Sequence, residues 1–109
     1  MPPSELRLTR PVQGVLNALI AKPNRDHHGR DLHVETGLTL GAIYPVLAKL
    51  ETLQWVEGGW EEPPRHEQGY PRRRKYRLTP NGLAMARGAL AGARATSFSG
   101  HLRPVGETP

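Results

Sequence analysis

The chain has 109 residues and a formal net charge of +5 at pH 7, so it can form one domain with a modest core and favours a polyanionic partner. The absence of cysteine excludes disulfides and thiol chemistry. No apolar run reaches the roughly 18 residues that span a bilayer, and the N-terminus lacks the charged-then-apolar pattern of a signal peptide. We therefore expect a cytoplasmic protein without membrane contact.

The first predicted helix begins near Thr9. Residues 1–8 contain two prolines and no apolar period, so we expect a flexible N-terminus there. Thr9 can cap the helix through its hydroxyl, and Pro11 suits the first turn, where its missing N–H is not needed. The helix should end before Pro23, because the residue preceding a proline disfavours the helical conformation. Apolar residues recur at helical spacing at Val12, Val15, Leu16, Leu19 and Ile20.

A helix-turn-helix is predicted from Asp26 onward. Asp26 can cap a short second helix that carries Leu32 and Val34. This helix should end at Gly37, because glycine readily takes the left-handed conformation that terminates helices. Thr39 can then cap a third helix, and the combined length is typical of a helix-turn-helix.

The third predicted helix has one apolar face and one face without bulky groups. The apolar stripe comprises Leu40, Ile43, Leu47 and Leu50. The opposite face comprises Thr39, Gly41, Ala42, Lys49 and Gln54. Such a face can enter the major groove of DNA. Pro45 lacks a backbone donor and is expected to bend the helix.

A two-stranded wing is predicted after the third helix. Residues 55–61 suit a short strand, residues 62–71 a polar loop broken by prolines, and residues 72–78 an alternating strand. One face of that strand carries Arg73, Lys75 and Arg77, and the other carries Arg74, Tyr76 and Leu78. The wing residues expected to contact DNA phosphates are Arg65, Arg72, Arg73, Arg74 and Lys75. A solvated basic surface is the alternative, but the adjoining helix-turn-helix favours DNA contact.

The last predicted helix covers residues 80–95. Thr79 can cap it, and Pro80 suits its first position. Leu83, Ala86, Leu90 and Ala93 share a stripe, and most of the other residues are alanine or glycine. Small residues allow another helix to approach closely. Residues 96–109 are polar and punctuated by glycine and proline, so we expect a flexible tail.

Two groups of residues resemble the PadR family of bacterial transcriptional regulators. The first is Gly41-Ala42-Ile43-Tyr44-Pro45 followed by Leu47 and Leu50-Glu51, and the second is Arg74-Lys75-Tyr76-Arg77-Leu78-Thr79. The resemblance covers roughly Val12 to Leu90. It implies a winged helix-turn-helix repressor that binds operator DNA as a homodimer, in a short form without a separate C-terminal domain. It also implies a small-molecule effector as a further partner, because some PadR-like regulators bind planar compounds between their subunits.

Candidate site residues follow from the helix pattern and this resemblance. We expect base contacts near the start of the third helix, at Thr39, Gly41, Ala42 and Tyr44, with Lys49 touching the DNA backbone. For Tyr44, a half-buried ring packed beneath the turn is an equal alternative. The residues expected at the dimer interface are Val12, Val15, Leu16, Leu83, Ala86 and Leu90.

Other chemistry is not indicated. The histidines lack the spacing of a metal site, and neither a nucleophile elbow nor a phosphate-binding loop is present. We therefore expect no metal, no cofactor and no catalysis. Trp55 and Trp60 flank the entry to the wing and could line an effector pocket, but an anchoring role in the core is favoured.

The sequence thus predicts a mainly α fold with a small β wing. The expected organisation is a flexible segment at 1–8, a DNA-binding domain at 9–79, a dimerisation helix at 80–95 and a tail at 96–109. The function expected is a sequence-specific repressor that binds an inverted repeat. The alternatives are a winged-helix protein-interaction module and a nonspecific nucleic-acid-binding protein.

Overall fold

The computed structural model describes residues 6–61 and 73–102, with side chains described as far as residue 93. The elements are α1 (Arg10–Ala21), β1 (His27–His28), α2 (Gly29–Thr36), α3 (Leu40–Thr52), β2 (Val56–Glu61), β3 (Arg73–Leu78) and α4 (Pro80–Leu102). The strands form an antiparallel sheet in the order β1-β3-β2. This architecture confirms the predicted mainly α fold with a small β wing. None of the helices described is both long and apolar enough to cross a bilayer.

Helix α1 begins as the sequence predicts. The Thr9 hydroxyl accepts a hydrogen bond from the backbone N–H of Val12 at 3.4 Å, which satisfies one of the free donors of the first turn. Ahead of the helix, Leu6 and Leu8 pack against the core, and the Gln13 side chain donates to the Leu8 carbonyl at 2.7 Å. The end of the segment expected to be flexible is therefore held against the domain.

Helix α2 is capped by His28 and not by Asp26, so that prediction is wrong. The Asp31 carboxylate accepts a hydrogen bond from the backbone N–H of His28 at 3.3 Å. His28 also belongs to β1, a strand of two residues that pairs with Lys75 of β3 and gives the sheet a third strand. A strand this short shows no alternation, so the expected wing of two strands is corrected to a sheet of three. Asp26 is occupied elsewhere, in an ion pair with Arg77.

The turn between α2 and α3 is fixed by local hydrogen bonds. Gly37 has φ of 77°, the left-handed conformation that the sequence predicts for this position. The Thr36 hydroxyl donates to the Leu32 carbonyl at 2.6 Å and accepts from the Leu38 backbone N–H at 3.1 Å. The His33 ring donates to the Leu38 carbonyl at 2.6 Å. These contacts set the angle at which α3 leaves the turn.

Helix α3 starts at the predicted cap, but the set of residues that it turns towards the core differs slightly from the predicted apolar stripe. The Thr39 hydroxyl accepts from the Ala42 backbone N–H at 3.2 Å. Leu40 is exposed, whereas Val46 is buried, so the core face is turned towards Val46. The residues that α3 buries are Ile43, Val46, Leu47 and Leu50.

The core lies between α1, α3, the sheet and the first half of α4. Its fully buried aliphatic side chains are Val15, Leu16, Leu19, Leu32, Ile43, Leu47, Leu50 and Val56. Burial of each such side chain stabilises the fold by about 1.5–3 kcal/mol before entropy is subtracted. The strands contribute Val56, Tyr76 and Leu78 to this core, which confirms that one face of β3 points inward.

Helix α4 begins as predicted and runs further. The Thr79 hydroxyl accepts from the Gly82 backbone N–H at 2.8 Å, and the Thr79 backbone N–H donates to the Trp55 carbonyl at 2.9 Å. Ala86 and Leu90 are buried against the core. The helix then continues past the predicted end at residue 95 to Leu102. Its final turns include residues that the sequence assigns to a flexible tail.

Candidate nucleic-acid interface

The exposed face of α3 carries mostly small residues. Its exposed positions are Leu40, Gly41, Tyr44, Pro45, Ala48, Lys49 and Thr52. Pro45 has no N–H, so the carbonyl of Gly41 lacks its normal helical donor on this same face. The Thr52 hydroxyl donates to the Ala48 carbonyl at 3.0 Å and so does not point freely outward. This face can approach another macromolecule closely at the level of the backbone.

The predicted base-contacting residues lie at the start of this face. Thr39, Gly41 and Lys49 are exposed, and Ala42 is half-buried. The Thr39 oxygen serves as the helix cap, but its O–H hydrogen remains available to an acceptor. Thr39, Gly41 and Ala42 lie at the helix N-terminus, where the partial positive charge of the helix dipole favours an anion such as phosphate, whereas Lys49, the expected backbone contact, lies in the last turn of α3.

Tyr44 is partly exposed and also packs against its own chain. The residue is 43% exposed, and its ring also lies over Gly29 at the start of α2. A Cβ at position 29 would overlap the Tyr44 ring and hydroxyl, with the ring carbon Cε1 at 2.8 Å. Glycine at position 29 is therefore required for this packing. The hydroxyl group of Tyr44 thus lies against the first residue of α2.

The outer face of β3 carries three basic residues, and two of them are paired within the chain. The Asp26 carboxylate lies 3.1 Å from Arg77 Nε and 3.7 Å from Lys75 Nζ. Arg73 is exposed, and no carboxylate in the described parts of the chain forms an ion pair with it. Arg73 is therefore the wing cation most available to phosphate among the residues described.

Arg74 lies on the inner face, as its alternation with Arg73 predicts. Its Nη2 donates to Glu51 Oε2 at 2.8 Å, and its guanidinium lies 5.1 Å from the Trp60 ring centre and 5.6 Å from the Tyr76 ring centre. The pKa of the Arg74 guanidinium is raised by its interaction with Tyr76 and, against the effect of burial, by Glu51. Arg74 is a permanent cation with partners in its own chain.

Two of the predicted phosphate contacts, Arg65 and Arg72, lie outside the described residues. Arg77 shares the outer face of β3 with Arg73 and Lys75. The alternation visible in the sequence already grouped Arg77 with those residues. Asp26 could not be found in this way, because its pairing depends on the long-range register of β1 and β3.

A second polar cluster joins the start of α2 to the wing. His28 Nδ1 lies 3.2 Å from Asp31 Oδ2, and His28 Nε2 lies 2.5 Å from Glu61 Oε1 at the end of β2. Burial raises the pKa of the Asp31 carboxyl, but hydrogen bonds from the His28 side chain and backbone outweigh this effect, and the net pKa lies below the usual 3.8. The cluster ties the base of the helix-turn-helix to one wing strand.

The positions expected at a dimer interface contact the core of their own chain. Val12, Val15, Leu16, Ala86 and Leu90 are buried, and Leu83 packs partly against the same core. The apolar stripe of α4 therefore marks the face that covers the domain and not a free surface. The opposite face of α4 is exposed at Ala84, Met85, Gly88, Ala91 and Gly92.

The two tryptophans differ in environment. Trp55 is 8% exposed and belongs to the core, which confirms the favoured interpretation. Trp60 is 53% exposed, so the expectation that it anchors the core is wrong. Its neighbour across the sheet is Arg74, and the two side chains stack on the wing surface.

Solved structures support the winged-helix arrangement. A PadR-family regulator from Eggerthella lenta DSM 2243 superimposes with a TM-score of 0.67 at 20% identity, covering 87% of this chain and 82% of that one. A PadR-like transcription factor from Bacteroides fragilis gives 0.64 at 17% identity, covering 83% and 85%. BpsR from Bordetella bronchiseptica, whose DNA binding is regulated by 6-hydroxynicotinic acid, gives 0.64 at 20% identity, covering 91% and 67%. These likenesses establish the fold.

Family membership rests on the sequence itself. No curated protein sequence matches the chain, but residues 20–87 match the model of the transcriptional regulator PadR-like family. This match spans more than half of the chain and includes all of α2, α3 and the described sheet. The chain therefore belongs to the PadR-like family of transcriptional regulators.

Proposed function

We propose that this protein is a sequence-specific DNA-binding repressor that acts as a homodimer on an inverted-repeat operator. The observation that carries the proposal is the exposed face of α3, on which most side chains are small. This face lies beside a wing with a basic outer face. A helix of this shape fits the major groove, and a basic strand beside it neutralises the flanking phosphates.

The proposal divides the exposed residues into two groups. Thr39, Gly41, Ala42 and Tyr44 contact base edges or allow the backbone to approach them, because they lie at the start of the recognition helix. Lys49, Arg73 and Lys75 contact phosphates and supply affinity that does not depend on sequence. On sequence grounds alone, Arg65 and Arg72 belong to the second group.

Dimerisation is proposed through the exposed face of α4. The small residues Ala84, Gly88 and Gly92 follow one another at intervals of one helical turn, and a Cβ at Gly88 or Gly92 would meet no described atom within 4 Å. A second α4 can therefore approach closely along this line. Two-fold symmetry would place the recognition helices about 34–36 Å apart, one turn of DNA.

Repression would follow from promoter occlusion, and an effector would relieve it by changing the angle between the two DNA-binding heads. The regulation of BpsR by 6-hydroxynicotinic acid supports a small molecule as the class of effector. Differential affinity of the effector for the two dimer geometries would supply the free energy of release.

The two residue groups can be separated by experiment. Thr39→Ala should reduce the preference for operator over random duplex by roughly tenfold for one lost base contact, while loss of the α3 cap weakens binding to both duplexes equally. Arg73→Ala should instead weaken binding to both duplexes equally and lower the salt slope by about one phosphate. Fluorescence anisotropy titrations across a salt series measure both quantities. If both variants change preference and slope alike, the division is wrong.

Light scattering tests the assembly. A mass of twice 12.1 kDa at micromolar concentration is expected, together with a footprint covering two half-sites. Substitution of Gly88 by a large residue such as leucine should yield a monomer. A monomeric wild type would overturn the dimer and the inverted repeat.

Nonspecific nucleic-acid binding is the second candidate. The exposed face of α3 from Gly41 to Ala48 offers few hydrogen-bonding side chains, and the chain is strongly basic, with a pI of about 10.2. Equal affinity for random and operator-like duplexes would favour this function.

A further inference from the structure

The ion pair between Glu51 and Arg74 joins the two parts of the DNA-binding surface. Glu51 lies in the last turn of α3, and Arg74 lies near the start of β3. Their side chains meet at 2.8 Å and are 37% and 29% exposed, respectively. The contact therefore connects the end of the recognition helix directly to the wing.

The surroundings hold Arg74 in this position. Trp60 and Tyr76 present their rings to its guanidinium, and a planar guanidinium stacks well on aromatic rings while its N–H groups bind a carboxylate. Tyr76 is itself buried, which fixes one side of the arrangement. Two strand residues, Trp60 and Tyr76, and one helix residue, Glu51, thus determine where the cation lies.

Glu51 is placed against the local preference of the helix. Carboxylates are unfavourable near a helix C-terminus, where the backbone dipole is negative. Lys49, in the same turn, has the favoured sign. Glu51 therefore does not stabilise the end of the helix, and the residue that compensates its negative charge is Arg74.

Gly58 makes room for the pair. A Cβ at this position would lie 2.5 Å from both Arg74 Nη2 and Glu51 Oε2. The neighbouring Gly59 has no such constraint, because its Cβ would meet only Lys75 Cε at 3.8 Å. Only the first of these two glycines is required for the contact.

We propose that Arg74 is a positioning residue for DNA binding and not a phosphate contact: through Glu51 it fixes the angle between α3 and the wing, so that both engage one duplex. This inference rests on the proposed function. It replaces the expectation that Arg74 neutralises phosphate. The Arg74 guanidinium contacts Glu51 and the rings of Trp60 and Tyr76. It lies on the opposite face of β3 from Arg73, Lys75 and Arg77.

Glu51→Gln gives the sharpest test, because it makes the protein more positive. Simple electrostatics would then tighten DNA binding. The positioning role predicts the opposite sign: operator affinity falls by roughly fivefold or more, within the range for coupled pairs, and the salt slope stays unchanged. Arg74→Gln should lower affinity to a similar degree without changing the slope. The double variant should lose little more than either single variant.

Gly58→Ala and Gly59→Ala form a matched pair that keeps every charge. The clash at position 58 involves only the ends of two flexible side chains, so the domain should still fold, as circular dichroism would verify. Gly58→Ala should reduce operator affinity as Glu51→Gln does, and Gly59→Ala should bind like the wild type.

The outcomes separate this inference from the proposed function. If the wild type binds the operator and the Glu51→Gln and Gly58→Ala variants bind it just as tightly, the positioning role alone is overturned. A salt slope lowered by about one phosphate in Arg74→Gln, as expected for Arg73→Ala, would also overturn it. Failure of the wild type to bind any duplex would overturn both proposals.

Discussion

Replacement of Gly82 by alanine tests how α4 is attached to the domain. Gly82 is buried in the first turn of α4, and a Cβ there would lie 2.6 Å from the backbone Cα and C atoms of Trp55, and closer still to its carbonyl oxygen. Carbon atoms normally approach to about 3.5–4 Å. A Cβ has no rotamer that relieves the overlap, so α4 or the segment before β2 must shift.

The magnitude follows from the contacts affected. Overpacking against a fixed backbone costs about 1–3 kcal/mol. The hydrogen bond from the Thr79 N–H to the Trp55 carbonyl would lengthen, which costs up to about 1 kcal/mol more. The total loss of roughly 1–4 kcal/mol corresponds to a melting temperature lower by about 5–25 °C for a domain of this size.

Thermal and urea denaturation followed by circular dichroism would measure this loss. Gly41→Ala is the matched control in the first turn of another helix, α3, because its Cβ would meet only Thr39 Oγ1 at 3.9 Å, an ordinary contact, and alanine favours a helix by about 1 kcal/mol over glycine. Both variants should be measured at several protein concentrations, since dimerisation shifts apparent stability. A Gly82→Ala variant that melts at or above the wild-type temperature would refute the packing described here.

Two further predictions concern the charged contacts. Asp31→Asn should destabilise the protein at neutral pH, because the folded pKa of Asp31 lies below its usual value of 3.8. The ionised group stabilises the fold above that usual pKa, and the difference from wild type should disappear as pH falls through the lowered folded pKa in pH-dependent urea unfolding. A difference that persists at the lowest pH would mean that the charge of Asp31 is not the source of the stabilisation. Asp26→Asn should free Lys75 and Arg77, tightening binding to any duplex by roughly two- to fivefold at low salt; weaker binding in an anisotropy titration would contradict this.

Features governed by neighbouring residues could be predicted from the sequence. The caps at Thr9, Thr39 and Thr79 and the left-handed Gly37 depend on contacts within a few residues. Such patterns carry most of the information needed to place the helices. The inward face of β3 also followed, since alternation placed Tyr76 with the apolar side.

Features governed by long-range contacts could not be predicted in this way. The third strand at His27–His28 depends on β1 pairing with β3, and a pair of histidines gives no strand signal. Asp26 was assigned to the cap of α2 because its type and position suited that role, while in the fold Arg77 binds it.

The candidate site shows both situations. The exposed helix face was visible in the pattern around Gly41, because small residues opposite an apolar stripe have few other roles. The pairing of Arg74 with Glu51 depends on the packing of α3 against the sheet. The alternation of side chains along β3 separates Arg74 from the cations on the outer face. Its positive charge alone, however, is a poor guide to its role.

The most direct test of the proposed function is a binding titration of the purified protein with the DNA upstream of its own gene and with a random duplex, across a salt series. The proposal predicts a preference of about a thousandfold or more for the upstream DNA, with affinity for both duplexes falling as salt rises. Equal, steeply salt-dependent binding to the two duplexes would contradict sequence-specific regulation.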